Sequence, residues 1–124
     1  LEMARKNINL RTANMLIMGF TFKENCSDIR NTRVIDLIKY LASYRINLDI
    51  VDPLVNKKDV NDVYHIDIKN NIPTNKKYSV VITTVAHAEF INIKLEYWLS
   101  LIKSSGFFFD VKGFLPRELK AIRL

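Results

Sequence analysis

Hydrophobic and polar positions follow two different rhythms along the chain. Four short runs are almost continuously apolar: "NMLIMGF" (14–20), "NLDIVDP" (47–53), "YSVVITTV" (78–85) and "GFFFDVKG" (106–113). Runs of this length, rich in β-branched and aromatic residues, predict strands covered on both faces. Between the first two, "TRVIDLIKYLASY" sets Val34, Leu37, Ile38, Leu41 and Ala42 at helical spacing, with Asp36, Lys39 and Ser43 on the other side. This predicts an amphipathic helix with Thr32 as its N-cap. A second helix is expected over 93–104, with Leu95, Trp98, Leu99 and Ile102 as its stripe and Gly106 as its stop.

Strand, helix and strand in repetition argue for a parallel sheet with helices on both sides. The middle, 54–77, is polar and Asn/Lys-rich; "DVYHIDI" is expected as a short third strand and "NNIPTNKKY" as a surface loop. "PRELKAIRL" predicts a short helix with Pro116 in its first turn. Residues 1–13 are too polar for the core and are expected to be a connector or a tag-derived segment, with the domain over 14–124. The opening "LEM" suggests a piece of a longer protein. In such sheets ligands bind outside the carboxyl ends of the strands, so the loops 19–32, 86–92 and 112–117 are the candidates.

Composition narrows the function classes. The chain has 124 residues, 48% of them hydrophobic and 26% charged, which suits one soluble globular domain. No apolar run approaches the roughly 20 residues needed to span a bilayer. The single cysteine, Cys26, cannot form an internal disulfide, as expected of a reducing cytoplasm. A net charge of +6 favours anionic partners. The basic residues are scattered, without a nucleic-acid-binding signature, so nucleic acid is not the expected partner.

The stretch "GFTFKENCSDIRNTRVIDL" (19–37) raises two readings, a catalytic loop around Cys26 or a loop that holds an anion. After the first strand stands one glycine, Gly19, and no G-x-G-x-x-G. A phosphate here would be held by side chains such as Lys23 and Arg30 and by the start of the following helix. Cys26 has nearby cations but no histidine close in sequence; distant His87 is the one that could approach it in space. Lone cysteines are mostly structural. His65 and His87, without companion cysteines, make no metal site. His87 follows a buried strand, where it either faces a ligand or caps a loop. Asp52, before Pro53, is placed either for a ribose contact or as an ordinary strand stop.

"LIMGFTFKENCSDIRNTRVIDLI" resembles the start of the C-terminal, UDP-binding domain of the UDP-glucose/GDP-mannose dehydrogenase family. Its pattern of strand, glycine, Phe-Lys, Asp-x-Arg and helix is met by Gly19, Phe22-Lys23, Asp28-Ile29-Arg30 and Val34–Leu37. "DIVDPLV", "VVITTVAHAEF" and "FFDVKGFLPR" follow in order, so the resemblance covers about 14–117. "VAHAEF" and "DVKG" are most similar to the branch that acts on UDP-N-acetylhexosamines for Vi-type and other surface polysaccharides.

The resemblance implies an enzyme that oxidises the C6 hydroxyl of a UDP-sugar to a carboxylate in two steps with two NAD+. It further implies a cysteine nucleophile, an NAD-binding N-terminal domain and dimerising helices, all preceding this segment. The family's nucleophile lies in a glycine-rich segment before Pro-Lys-Asp, which this chain lacks, and Cys26 stands where threonine is common. By resemblance, Phe22 and Lys23 contact the UDP part, Lys112 is a second contact to the sugar nucleotide, and Arg30 leans towards NAD or helps close two domains. Asp28 orients Lys23 or Arg30. The expected fold is a three-layer α/β/α Rossmann-like sandwich with about five parallel strands in the order 3-2-1-4-5. The expected role is that of a UDP-sugar-binding domain, inactive alone, in a cytoplasmic NAD-dependent 6-dehydrogenase that forms homodimers or larger assemblies. The competing reading is a non-catalytic nucleotide-binding module of the same fold.

Overall fold

A computed structural model describes residues 13–123 of the chain. The expected connector therefore lies, except for Ala13, outside the described residues. The elements are β1 (Asn14–Met18), α1 (Val34–Ala42), β2 (Asn47–Val51), α2 (Lys57–Tyr64), β3 (Tyr78–Thr83), α3 (Ala88–Ile91), α4 (Leu95–Ser100), β4 (Ile102–Asp110), a single 3-10 turn (Arg117–Leu119) and β5 (Ile122–Arg123). All five strands are parallel, in the order β2-β1-β3-β4-β5.

Side chains alternate across a strand, so each strand feeds two cores. Met15 and Ile17 of β1 join Val80 and Ile82 of β3 beneath α1 and α2, packed on Ile38 and Val60. Leu16 and Met18 join Val81 and Phe108 on the opposite face, under Phe90 and Trp98 of α3 and α4. Trp98 is buried edge-on against Phe108, with 6.1 Å between ring centroids. This is the three-layer sandwich expected from the apolar runs.

Three local expectations are corrected. "DVYHIDI" is not a strand: α2 runs through Tyr64 and ends on His65 in the left-handed conformation (φ 58°). Asn56 caps its start by accepting the Asp59 amide at 3.2 Å, and Val60 is its buried anchor. Among the described residues, only Lys69 pairs beyond β2, as an isolated bridge to Val51. The sheet order thus departs from 3-2-1-4-5, because the expected third strand shrinks to that bridge and β5 becomes the fifth strand.

The helix expected over 93–104 covers only Leu95–Ser100, and 102–105 join β4 instead. Gly106 lies inside that strand, where an added Cβ would stand 2.6 Å from the Ser79 carbonyl oxygen, so it is a close-approach glycine rather than a helix stop. The "PRELKAIRL" helix is one 3-10 turn with Pro116 as its cap residue, followed by β5. Thr32 supports α1 from one residue further out than expected. It accepts the Val34 amide at 3.2 Å, while the cap position itself is Arg33, which makes no side-chain cap bond.

β1 pairs with β2 on one side and with β3 on the other. The order therefore reverses between β1 and β3, and the loops after Met18 and Thr83 open at this switch point, where open α/β sheets bind ligands.

Candidate functional site

The loop after β1 is shaped by buried groups beneath it. Gly19 adopts φ +112° with its amide on the Val51 carbonyl, and an added Cβ would stand 2.7 Å from the Val85 Cβ and 2.8 Å from the Val85 nitrogen. Only glycine satisfies both the backbone angle and the space. Thr84 pins the same turn from the end of β3, its hydroxyl lying 2.9 Å from the Met18 carbonyl and 2.6 Å from that of Gly19. The Thr32 hydroxyl donates to the Phe20 carbonyl at 2.5 Å. On the α2 side, Tyr64 packs edge-on against Phe20 and donates to the Ile29 carbonyl at 2.6 Å.

At the centre are Asp52 and His87, both fully buried, with Nε2 of His87 2.9 Å from Oδ2 of Asp52. Asp52 accepts the amides of Phe20 (2.8 Å) and Thr21 (3.2 Å) through Oδ2, and that of Leu54 (2.9 Å) through Oδ1. Burial pushes the Asp52 carboxyl up, but the bonds from His87 and from the Phe20 and Leu54 amides outweigh it and hold the group below the usual carboxylate range. Nδ1 of His87 lies 2.9 Å from the Asn25 amide nitrogen, and the Asn25 side chain accepts the Ala88 amide at 2.8 Å. Asn25 reaches this position with φ 56°, a conformation asparagine tolerates better than most residues.

An open cleft of about 430 Å³ lies at the carboxyl edge of the sheet, lined by Thr21, Phe22, Arg33, Val34, Leu37, Thr84, Val85, Val111 and Lys112. It brings together two of the sequence-predicted residues, Phe22 and Lys112. Phe22 is 55% exposed, an unusual state for a phenylalanine and an open face for a flat apolar ligand. Lys112 rides an exposed turn built on buried Asp110, which accepts Thr83 Oγ1 (2.9 Å), the Gly113 amide (3.0 Å) and the Leu115 amide (2.7 Å).

Lys23 stands next to Phe22, exposed, but is not among the lining residues. Arg30 is also outside the cleft, with 84% of its side chain exposed, and forms a two-pronged pair with Asp28 at 3.0 Å for each prong. That bond is the first cause holding the Asp28 carboxyl below its ordinary range. Asp28 thus orients Arg30 rather than Lys23.

Arg33 is the lining cation that the sequence reading missed. Its place beside Thr32, at the start of the helix that follows the loop 19–32, was the available signal. Neither it, Lys23 nor Lys112 has an ion-pair partner among the described residues.

Cys26 is half-buried, and its sulfur accepts the Asp28 amide at 3.4 Å. Both ring nitrogens of His87 are engaged elsewhere, so the histidine does not serve Cys26 as a base. His87 instead holds the loop from beneath, the second of its two expected placements. Asp52 is sealed beneath the loop, its oxygens engaged by backbone amides and His87. No group of three or more metal-ligating side chains occurs among the described residues.

A model of the UDP-glucose/GDP-mannose dehydrogenase family, UDP binding domain, matches residues 16–117. The chain belongs to this family. UDP-N-acetyl-D-glucosamine 6-dehydrogenases of Pseudomonas aeruginosa and Salmonella typhi are each 38% identical to it over 122 residues, 98% of this chain and 29% and 28% of those proteins. Protein CapL of Staphylococcus aureus is 32% identical over 117 residues, 94% of this chain and 27% of its own. The chain thus spans less than a third of the length of these relatives.

Among solved structures, an NDP-N-acetyl-D-galactosaminuronic acid dehydrogenase of Methanosarcina mazei superposes with a TM-score of 0.81 at 13% identity, covering 94% of this chain and 24% of that one. The UDP-N-acetyl-mannosamine dehydrogenase Cap5O of Staphylococcus aureus superposes with 0.68 at 20% identity, covering 98% and 26%. At these identities the superpositions establish the shared fold.

Proposed function

We propose that this chain is the C-terminal, nucleotide-sugar-binding domain of an NAD-dependent UDP-N-acetylhexosamine 6-dehydrogenase that serves surface polysaccharide synthesis in the cytoplasm. The observation that carries the proposal is the family match over 16–117 together with 38% identity to two UDP-N-acetyl-D-glucosamine 6-dehydrogenases over 98% of the chain.

Chemistry on the carboxyl side of the sheet supports it. A UDP-sugar presents a flat base and a doubly charged diphosphate. Exposed Phe22 offers the base a ring to stack on, an interaction of about 1–3 kcal/mol. Lys23, Arg33 and Lys112 offer positive charge to the diphosphate, and arginine can grip it through two parallel N–H bonds. The Lys23 and Glu24 amides, which have no acceptor among the described residues, add neutral donors.

The described residues do not fit a dinucleotide cradle. The Phe20 and Thr21 amides, which a glycine-rich loop would offer to a pyrophosphate, are turned onto Asp52. NAD is therefore assigned to an N-terminal domain of the longer protein, with exposed Arg30 as this chain's proposed contribution to that side. When bound there, NAD takes up the hydrides removed from C6. The residues of this chain bind and orient the sugar nucleotide, and the chain alone is expected to be inactive. The longer protein is expected to work as a homodimer or larger assembly.

The test is to supply the full-length protein with UDP-N-acetylglucosamine and UDP-N-acetylgalactosamine and count NADH. Two NADH per sugar oxidised is the expected result. One per sugar would leave an aldehyde and refute the two-step scheme, and no turnover with either sugar would refute the substrate class.

A further inference from the structure

We infer that the buried Asp52–His87 pair is a positioning device that fixes the ligand-binding loop 20–25 before ligand arrives, through one obligatory tautomer of His87. The inference rests on the reading of Phe22 and Lys23 as nucleotide-sugar contacts.

The hydrogen bonds determine where the proton sits. The Asn25 amide, 2.9 Å from Nδ1, can only donate, so Nδ1 carries a lone pair. Nε2 faces the Asp52 carboxylate at 2.9 Å and the Thr21 hydroxyl at 3.1 Å, while that hydroxyl gives its own proton to the Lys23 carbonyl at 3.1 Å. Nε2 therefore bears the hydrogen. An added proton on Nδ1 would point an N–H at another N–H, so the bond from Asn25 requires the Nε2–H tautomer.

With Nδ1 unprotonated, Asp52 is a fully buried carboxylate facing N–H donors. Its charge is held by four N–H donors: Phe20, Thr21, Leu54 and His87. Three of them depend on the loop conformation, Phe20 and Thr21 directly and His87 through its bond to Asn25. Release of the loop strips donors from a buried carboxylate, which is far costlier than the loss of an exposed hydrogen bond. The anchored residues, 20, 21 and 25, bracket Phe22, Lys23 and Glu24. The ligand-facing residues are thus held from both sides while their own side chains stay exposed. A loop ordered in advance spares the ligand the entropy of ordering it.

Long-range 1H–15N spectra of the 124-residue chain should show His87 as the Nε2–H tautomer, and the Asn25 amide should exchange slowly. Titration with UDP-N-acetylglucosamine should then rank the variants. His87→Phe, which keeps a flat ring but neither nitrogen, should bind at least tenfold more weakly with a fast-exchanging Asn25 amide. His87→Asn, whose oxygen can take the Nδ1 place but which does not reach Asp52, should recover part of the affinity. In the full-length enzyme the His87→Phe loss should fall on KM, with kcat within about threefold of wild type.

A folded His87→Phe with wild-type affinity would overturn the inference. So would an Nδ1–H tautomer in the wild-type spectrum, which needs no variant to fold. A wild-type chain that binds no UDP-sugar would overturn the functional reading, while the tautomer and the Asn25 exchange would still report on the latch.

Discussion

Asp110 and Leu115 close the turn that presents Lys112: the carboxylate receives the Leu115 amide at 2.7 Å while its other oxygen holds Gly113 and Thr83. Asp110→Ala leaves these donors without a buried acceptor, and each such loss costs about 1–3 kcal/mol. We expect roughly 3 kcal/mol less stability by urea unfolding, with weaker UDP-sugar binding from a loosened Lys112. Lys112→Ala should weaken binding alone, with an unchanged urea midpoint.

Lys23 is exposed and unpaired among the described residues, so its removal should leave the fold intact. Lys23→Ala in the full-length protein should raise KM for the UDP-sugar about tenfold or more, the scale of one lost bond to a charged group. The same holds for Arg33→Ala. An unchanged KM in initial-rate assays would remove either residue from the diphosphate site.

Acid should weaken the domain in a defined window. Asp52 and Asp49 both have folded-state pKa values below the ordinary value: burial raises each, and hydrogen bonding more than offsets it, from His87 and two amides for Asp52 and from Lys76, Tyr78 and Lys69 for Asp49. Between the folded and unfolded pKa the unfolded chain binds more protons. The stabilisation is therefore complete well above about pH 4 and fades as pH falls through the folded values. Urea midpoints at pH 7, 4 and 3 should show the decline. Asp52→Asn should be less stable at pH 7 and lose less on acidification.

Gly19 is expected to tolerate no side chain. Gly19→Ala combines a φ of +112° with a Cβ 2.7 Å from Val85, and should lower stability by at least about 2 kcal/mol or prevent folding. Gly113→Ala is the internal comparison. Its φ is also positive, but no atom lies within 4 Å of the added carbon, so thermal melts should show a loss of only about 1 kcal/mol.

Cys26→Ser keeps an acceptor for the Asp28 amide and should leave turnover of the full-length enzyme within about twofold. A loss of a hundredfold or more would return Cys26 to the nucleophile role that its surroundings deny it.

Much of the fold was legible because the central strands β1 and β3 are buried on both faces, which writes continuous apolar runs into the chain. The misreadings fall where local pattern and tertiary pairing compete. Ile102 carries helical periodicity but pairs with Tyr78, and "DVYHIDI" alternates like a strand but starts inside a helix capped by Asn56. Ordered motifs singled out Phe22, Lys23, Arg30 and Lys112, of which the cleft lining includes Phe22 and Lys112. The coupling of Asp52 to His87 was not legible, because it joins the ends of two strands far apart in sequence through groups that read separately as a strand stop and a loop histidine. Arg33 was masked by its neighbour Thr32, whose capping role claimed the position.

Asp52 gathers the amides of Phe20 and Thr21 on one side and of Leu54 on the other, with His87 above. The turns after β1, β2 and β3 therefore form a single transplantable cassette. A loop 19–32 borrowed from a relative should keep its shape only when its own partners at 52 and 87 travel with it, so these three segments are to be exchanged together.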